Sequence, residues 1–272
     1  MFTNTPTLLS NYDIIKIAPA AGSSRPVMAA SDRYSFVPTL TVVDALRDIG
    51  WFPIDVKQSY PRLDDRIVYQ KHLIRFTHRQ PATLDNERVD LLLWNSHDLG
   101  SSFKLFAGIW RFVCSNGLMV GSELMNYSHK HIGFNLDALV GSAQEIANHA
   151  GVIAENIETM KAITLTPAEK SIFAGSAHRL VYDDPQNAPI RAEDLLHTRR
   201  YEDSHDDLWT TMNQVQENIM RGGLRGSKVD ENGRRRRITT RPVKSLDRDV
   251  KLNQALWFLT EKMKELKISD NN

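Results

Sequence analysis

A chain of 272 residues, 41% of them hydrophobic, is long enough to bury one large core or two small ones. No apolar run approaches the roughly 20 residues that span a bilayer, and the first residues lack a basic region followed by an apolar core, so the expectation is a cytoplasmic protein with no membrane segment. The formal net charge is only +1, yet residues 1–220 carry 20 Lys/Arg against 26 Asp/Glu, a net of −6, while residues 221–251 carry 11 against 4, a net of +7. Cys114 is the single cysteine, which excludes an intrachain disulfide and a multi-cysteine zinc site, and its apolar surroundings read as those of a small core residue.

Taken in order, residues 1–33 show no sustained period around Pro6, Pro19 and Pro26 and are expected to form a flexible, extended arm. Leu40, Val42, Val43, Leu46 and Ile49 mark one face of a helix over 39–49, which Gly50 ends. Strands are predicted over 54–60, 66–78 and 89–94, separated by turns at 61–65 and 83–88. Phe106, Ile109, Trp110 and Val113 then recur at helical spacing, with Asn116 and Gly117 as the stop and 118–120 as a resumed strand.

A long helix is expected between about 135 and 160. Thr166, Pro167 and Glu169 form a capping pattern for the next helix, which carries Ile172, Phe173 and Ala177. Residues 183–189 read as a loop with two prolines, and residues 207–220 as a helix stopped by Gly222 and Gly223. Ser245 caps a last helix whose Val250, Leu252, Leu256, Leu259 and Met263 face the core. The expected class is α+β: a helix plus an antiparallel β-meander, then a mostly helical C-terminal half, with residues 34–272 as one domain and 221–244 as a basic loop.

Several short motifs stand out along this frame. They are N-S-H-D at 95–98, G-x-x-R-x-V-C-x-N-G-L at 108–118, D-L-W-T-T at 207–211, Q-E-N-I at 216–219, G-G-L at 222–224 and D-x-D-V-K-L-N-x-A-L-W at 247–257. With residues 34–38 they resemble the phage and plasmid family known as domain of unknown function 932, from about residue 34 to 257. The resemblance implies a prophage or plasmid context and hands over no activity. The order helix, Gly50-Trp51, antiparallel strands, helix is also similar to the core of Rad-type single-strand annealing proteins, which form oligomeric rings and need no nucleotide cofactor.

Three functional readings compete. In the first, Arg225, Lys228, Arg234, Arg235, Arg236, Arg237, Arg241 and Lys244 form an exposed basic loop that attracts phosphates, while Trp51, Phe52, Tyr60 and Tyr69 supply stacking surfaces for single-stranded DNA. In the second, His97, Asp98, His129 and His131, with Cys114, have the residue types of a transition-metal or acid–base site, though not a recognised metal spacing. The same His97 and Asp98, at a strand end, also suit capping and backbone satisfaction. In the third, the acidic body docks a host defence factor. The 222–228 segment lacks the spacing of a phosphate-binding loop, which argues against an ATPase. The favoured expectation is a DNA-binding, homo-oligomeric, non-catalytic protein that prefers single strands and uses no cofactor or metal, acting in recombination or replication of a mobile element.

Overall fold

The computed structural model describes residues 6–28, 34–61, 64–84, 87–111, 117–119, 126–129, 134–229 and 231–269. The chain divides into two compact units, Met1–Ala154 and Glu155–Asn272.

In the first unit, Ser10 opens helix α1 (Asn11–Ile17). Its hydroxyl accepts from the Asp13 amide, and the Asp13 carboxylate accepts from the Ser10 amide, so two donors that a helix start leaves orphaned are satisfied. A 3-10 turn, Pro19–Gly22, follows, and Ile14, Ala18, Ala20 and Ala21 are fully or almost fully buried. Within the arm expected over 1–33, this replaces an extended chain by a packed helix and turn over 11–22, while residues 1–5 and 29–33 lie outside the described residues. A seven-residue helix is too short to display a period, but its capping box and small apolar residues suffice once there is a surface to pack on.

Helix α2 (Thr39–Asp48) lays Val42, Val43 and Leu46 into the core. Arg47 ties it to the N-terminal segment, donating to Asn11 Oδ1 at 2.6 Å and to the Leu9 carbonyl at 2.9 Å. The sheet is built from β1 (Trp51–Gln58), β2 (His72–His78), β3 (Thr83–Leu84), β4 (Glu87–Asn95), β5 (Phe103–Arg111), β6 (Gly117–Met119) and β7 (Asn126–His129). Its order is β1-β2-β4-β5-β6, with β3 on β4 and β7 on β5, and every pairing is antiparallel.

Two predicted elements are corrected here. The helix expected through Phe106 and Trp110 is strand β5, paired with β4 from Glu87 opposite Arg111 to Trp94 opposite Lys104. Both faces of this strand are buried, so its apolar residues fall at helical as well as alternating spacing, and only the neighbouring strand decides between the two. The strand expected from Arg66 begins instead at His72, because residues Asp64–Tyr69 form a 3-10 turn held by Gln58, whose side-chain amide donates to the Ile67 carbonyl at 2.9 Å.

Strand β4 is the centre of the sheet and is buried throughout. Leu91 and Leu93 lie opposite Phe76 and Ile74 on β2, and Ala107 and Leu105 on β5, forming one apolar layer. The other face carries charge. Arg88 Nε donates to Asp90 Oδ1 at 2.7 Å, Arg75 Nε lies 3.8 Å from the same carboxylate, and the Arg75 guanidinium stacks 3.4 Å above the centre of the Trp110 ring.

Helix α3 (Leu136–Ala162) contains the division between the units. In the second unit, α4 (Pro167–Val181) starts with the predicted capping box: the Thr166 hydroxyl accepts from the Glu169 amide and the Glu169 carboxylate from the Thr166 amide. Asp207 caps α5 (Leu208–Arg221), whose residues are buried from Leu208 to Ile219. So wide a burial leaves polar side chains inside, and they are satisfied. Gln216 donates to Asn253 Oδ1 at 2.8 Å, while Asn218 donates to the carbonyls of Leu195 and His197 and accepts from Arg199 Nε at 2.7 Å. Burial pushes the Glu217 carboxyl up, but donation from Arg200 and Arg221 outweighs it and holds the group below its ordinary range. The Q-E-N-I motif is thus the bracket on which the irregular 195–203 segment hangs.

Strands β8 (Arg225–Val229) and β9 (Arg235–Thr239) then form a separate antiparallel hairpin, and α6 (Leu246–Ser269) closes the unit with Val250, Leu252, Leu256 and Met263 buried. The fold is α+β with a mainly helical C-terminal part, as the sequence pattern implies. Among the described residues, no helix is long and apolar enough to cross a membrane.

Candidate nucleic-acid interface

The arginine run expected as a loop is strand β9. Its register sets Ser227 opposite Arg237, Lys228 opposite Arg236 and Val229 opposite Arg235. Successive residues of a strand point to opposite faces, so Arg235 and Arg237 share one face with Arg225, while Arg236 shares the other with Lys228. That alternation turns Arg236 away from Arg235 and Arg237 but sets it opposite Lys228, a like-charge pair that opposes the pairing, while Ile238 and Thr239 supply strand-forming residues beside the arginines. Arg225, Lys228, Arg234, Arg235, Arg236, Arg237, Arg241 and Lys244 are all exposed.

Two glycines of this segment fix the base of the hairpin. Gly222 adopts φ 60°, and a Cβ there would come within 2.6 Å of the Arg241 backbone. Beside it Thr240 closes the ribbon: its carbonyl accepts from the Gly223 amide, its amide donates to the Leu224 carbonyl, and its hydroxyl accepts from the Leu224 amide. Gly226 has no room for any side chain, since a Cβ would overlap the Pro189 carbonyl oxygen. That close approach lets the Ser227 amide donate to Pro189 at 2.8 Å, binding the outer edge of β8 to the 185–190 loop.

Between the hairpin and that loop lies a cleft of about 1150 Å³. Its hairpin wall includes Arg225, Lys228, Arg235 and Arg237, and its loop wall includes Gln186, Asn187 and Arg191. The loop is held by buried His178, whose Nε2 bonds the Ile190 carbonyl at 2.9 Å, and by Asp184, which accepts from Gln186 N and Asn187 Nδ2. Those donors hold the Asp184 carboxyl below its ordinary range. The cleft is therefore lined by five cations and by Asp194, which sits 3.7 Å from Arg191.

The loop wall is the part of this interface that sequence reasoning missed. Residues 183–189 read as a two-proline loop, but one arginine beyond it carries no signal until the fold brings it opposite the hairpin.

The aromatic candidates fare differently. Trp51 is buried and packs against His78, with ring centroids 4.9 Å apart, so it is withdrawn from stacking on a base. Phe52 is half-buried, with the Arg79 guanidinium 5.7 Å from its centroid, Tyr69 is half-buried, and Tyr60 is 72% exposed. These four belong to the first unit and the eight cations to the second.

The N-S-H-D motif forms a buried polar knot. Asn95 Nδ2 donates to the Val37 carbonyl at 3.2 Å and to Thr39 Oγ1 at 2.9 Å, and the same hydroxyl lies 2.9 Å from His72 Nε2 and 3.4 Å from His97 Nε2. His72, His97, Asn95, Ser96 and Thr39 have no exposed surface. Burial drives the His72 pKa down to about 4, so the ring is neutral at pH 7. Asp98 accepts from the Gly100 amide at 2.8 Å, closing a turn in which Leu99 takes φ 64°.

These bonds fit the capping role and tie β2 and β4 to the start of α2. His129 lies on β7 opposite Phe103, whereas His131 and Cys114 lie outside the described residues. Among the described residues, no group of three His, Cys, Asp or Glu is placed to hold a metal ion.

Comparison with known proteins finds that the family described as Domain of unknown function (DUF932) matches residues 26–257. UPF0380 protein YafZ of Escherichia coli (strain K12) is 30% identical over 254 residues, covering 93% of this chain and 90% of the relative. UPF0380 protein YfjQ of the same strain is likewise 30% identical over 254 residues, with the same coverage. No solved structure matches.

Proposed function

We propose that this chain, which belongs to the family described as Domain of unknown function (DUF932), binds DNA through the β8–β9 hairpin, with a preference for single strands, in recombination or replication of a phage or plasmid. The observation that carries this reading is the hairpin itself, which displays Arg225, Lys228 and Arg234 to Arg237 as six exposed cations on a ribbon anchored at its base by Gly222 and Gly226, with exposed Arg241 and Lys244 just beyond it. An anchored ribbon presents its charges at fixed spacing, so fewer degrees of freedom are lost when phosphates bind than with a loose arm. Contact of this kind releases counterions and reads the backbone rather than the base sequence. Binding and strand annealing need no covalent chemistry, which is consistent with a non-catalytic, cytoplasmic role and with assembly of several copies along one strand.

Fluorescence anisotropy with labelled single-stranded and duplex oligonucleotides at two salt concentrations tests this. Wild-type affinity is expected to fall steeply with salt. Replacing Arg234, Arg235, Arg236 and Arg237 by alanine is expected to weaken binding equally across sequences and to flatten the log–log salt slope by as much as about 3, from roughly 0.7 per single-strand phosphate contact. Unchanged affinity in that variant would reduce the run to ordinary solvated surface.

A further inference from the structure

The hairpin face turned toward the 185–191 loop differs from the rest of the ribbon in being one wall of a cleft. Arg225, Arg235 and Arg237 are brought together there, Lys228 from the other face of the ribbon also borders the space, and Arg191 comes from the opposite wall. Asp194 is the one acid among the lining residues, and it already lies against Arg191 and accepts from that residue's amide at 2.8 Å. The cleft thus holds a surplus of positive charge, and cations gathered around one space repel each other until an anion enters.

Its size and lining select the kind of anion. A space of about 1150 Å³ is at or above the upper end of pockets for small molecules, roughly 300–1,000 Å³, and those are mainly apolar, whereas this one is walled by arginine, lysine and amides. The same space of about 1150 Å³ has room for a short length of one sugar-phosphate strand but not for the body of a duplex. A duplex can lie on the exposed ribbon but cannot enter. A single sugar-phosphate strand can.

We propose that this cleft receives the phosphodiester backbone of single-stranded DNA, and that its loop wall, through Arg191 and Gln186, supplies the preference for a single strand over a duplex. The proposal rests on the DNA-binding reading of the hairpin and adds a second wall that no sequence motif marks. The loop is built to serve as a wall: His178 and Asp184 hold its carbonyls and amides, and Gly226 lets the β8 backbone dock on Pro189, so the two walls keep their separation. The ring residue lining the cleft, His178, is buried and engaged, so recognition there proceeds by phosphate contact rather than base stacking.

The test compares three full-length proteins by anisotropy on a labelled oligothymidine and on a duplex of equal length, with circular dichroism verifying the fold. These are wild type, a loop-wall variant (Arg191→Ala with Gln186→Ala) and an outer-face variant (Arg236→Ala). The loop-wall variant is expected to bind the single strand about tenfold more weakly while its duplex affinity stays within about twofold. The outer-face variant is expected to lose affinity for both. A loop-wall variant that keeps wild-type single-strand affinity, or that weakens both forms equally, overturns the cleft proposal while leaving the hairpin reading standing. Wild-type protein that binds neither DNA at low salt overturns both.

Discussion

His72 sits at the centre of the polar knot with its ring enclosed and bonded to the Gln70 carbonyl at 3.0 Å and to Thr39. Because burial lowers its pKa to about 4, against an ordinary value near 6.5, the unfolded chain binds more protons than the folded one between those limits. The stability contributed by the neutral ring is fully present above pH 6.5 and is lost as pH falls toward 4, a change of about 3 kcal/mol at most. Urea unfolding of wild type and His72→Gln at pH 7 and pH 5 checks this. The variant is expected to be less stable at pH 7 and to lose less on acidification, and an identical acid slope in the two proteins would show that another group titrates. A His or Asn within N-S-H-D therefore acts on the fold by joining three backbone segments, and mutations there are expected to damage stability before any activity.

At the scale of elements, the charged face of the sheet and the basic hairpin handle charge in opposite ways. On the sheet, Asp90 is buried between Arg88 and Arg75, where burial raises its pKa and the two guanidinium groups oppose that rise. Removing the carboxylate with Asp90→Ala leaves two guanidinium groups without their shared partner and is expected to cost about 3–5 kcal/mol in chemical denaturation, whereas replacing Arg75, Arg88 and Asp90 together by apolar residues is expected to cost much less. A small loss in the single variant would mean that the pair is compensated elsewhere. On the hairpin the arginines stay in water, where each charge adds little to stability. Strand geometry made this arrangement hard to read from sequence: four consecutive arginines have the composition of a solvated loop, and only pairing with β8 assigns alternate residues to the cleft and to the outer face.

For the whole molecule, the charge is uneven, −6 over residues 1–220 and +7 over 221–251, so under the proposed function DNA would approach the basic segment and its association would be sensitive to ionic strength. If several copies assemble on one strand, light scattering behind size exclusion is expected to show complexes whose mass grows in steps of one 31.0 kDa chain as the oligonucleotide lengthens. One chain per oligonucleotide at every length would reject assembly and leave simple binding.

The sequence by itself determined the α+β class, the helices α2 to α6 and the capping box of α4, because apolar period and capping residues act within one element and are written in consecutive positions. It also located the cationic segment, since charge is a property of composition. Only the tertiary structure decided that 103–111 is a strand, that 11–22 packs as a helix and turn, that Trp51 is buried, and that Arg191 faces the hairpin. Each of those depends on a partner far away in the chain: β4 for β5, His78 for Trp51, and the Pro189 carbonyl docking on Gly226 for the cleft.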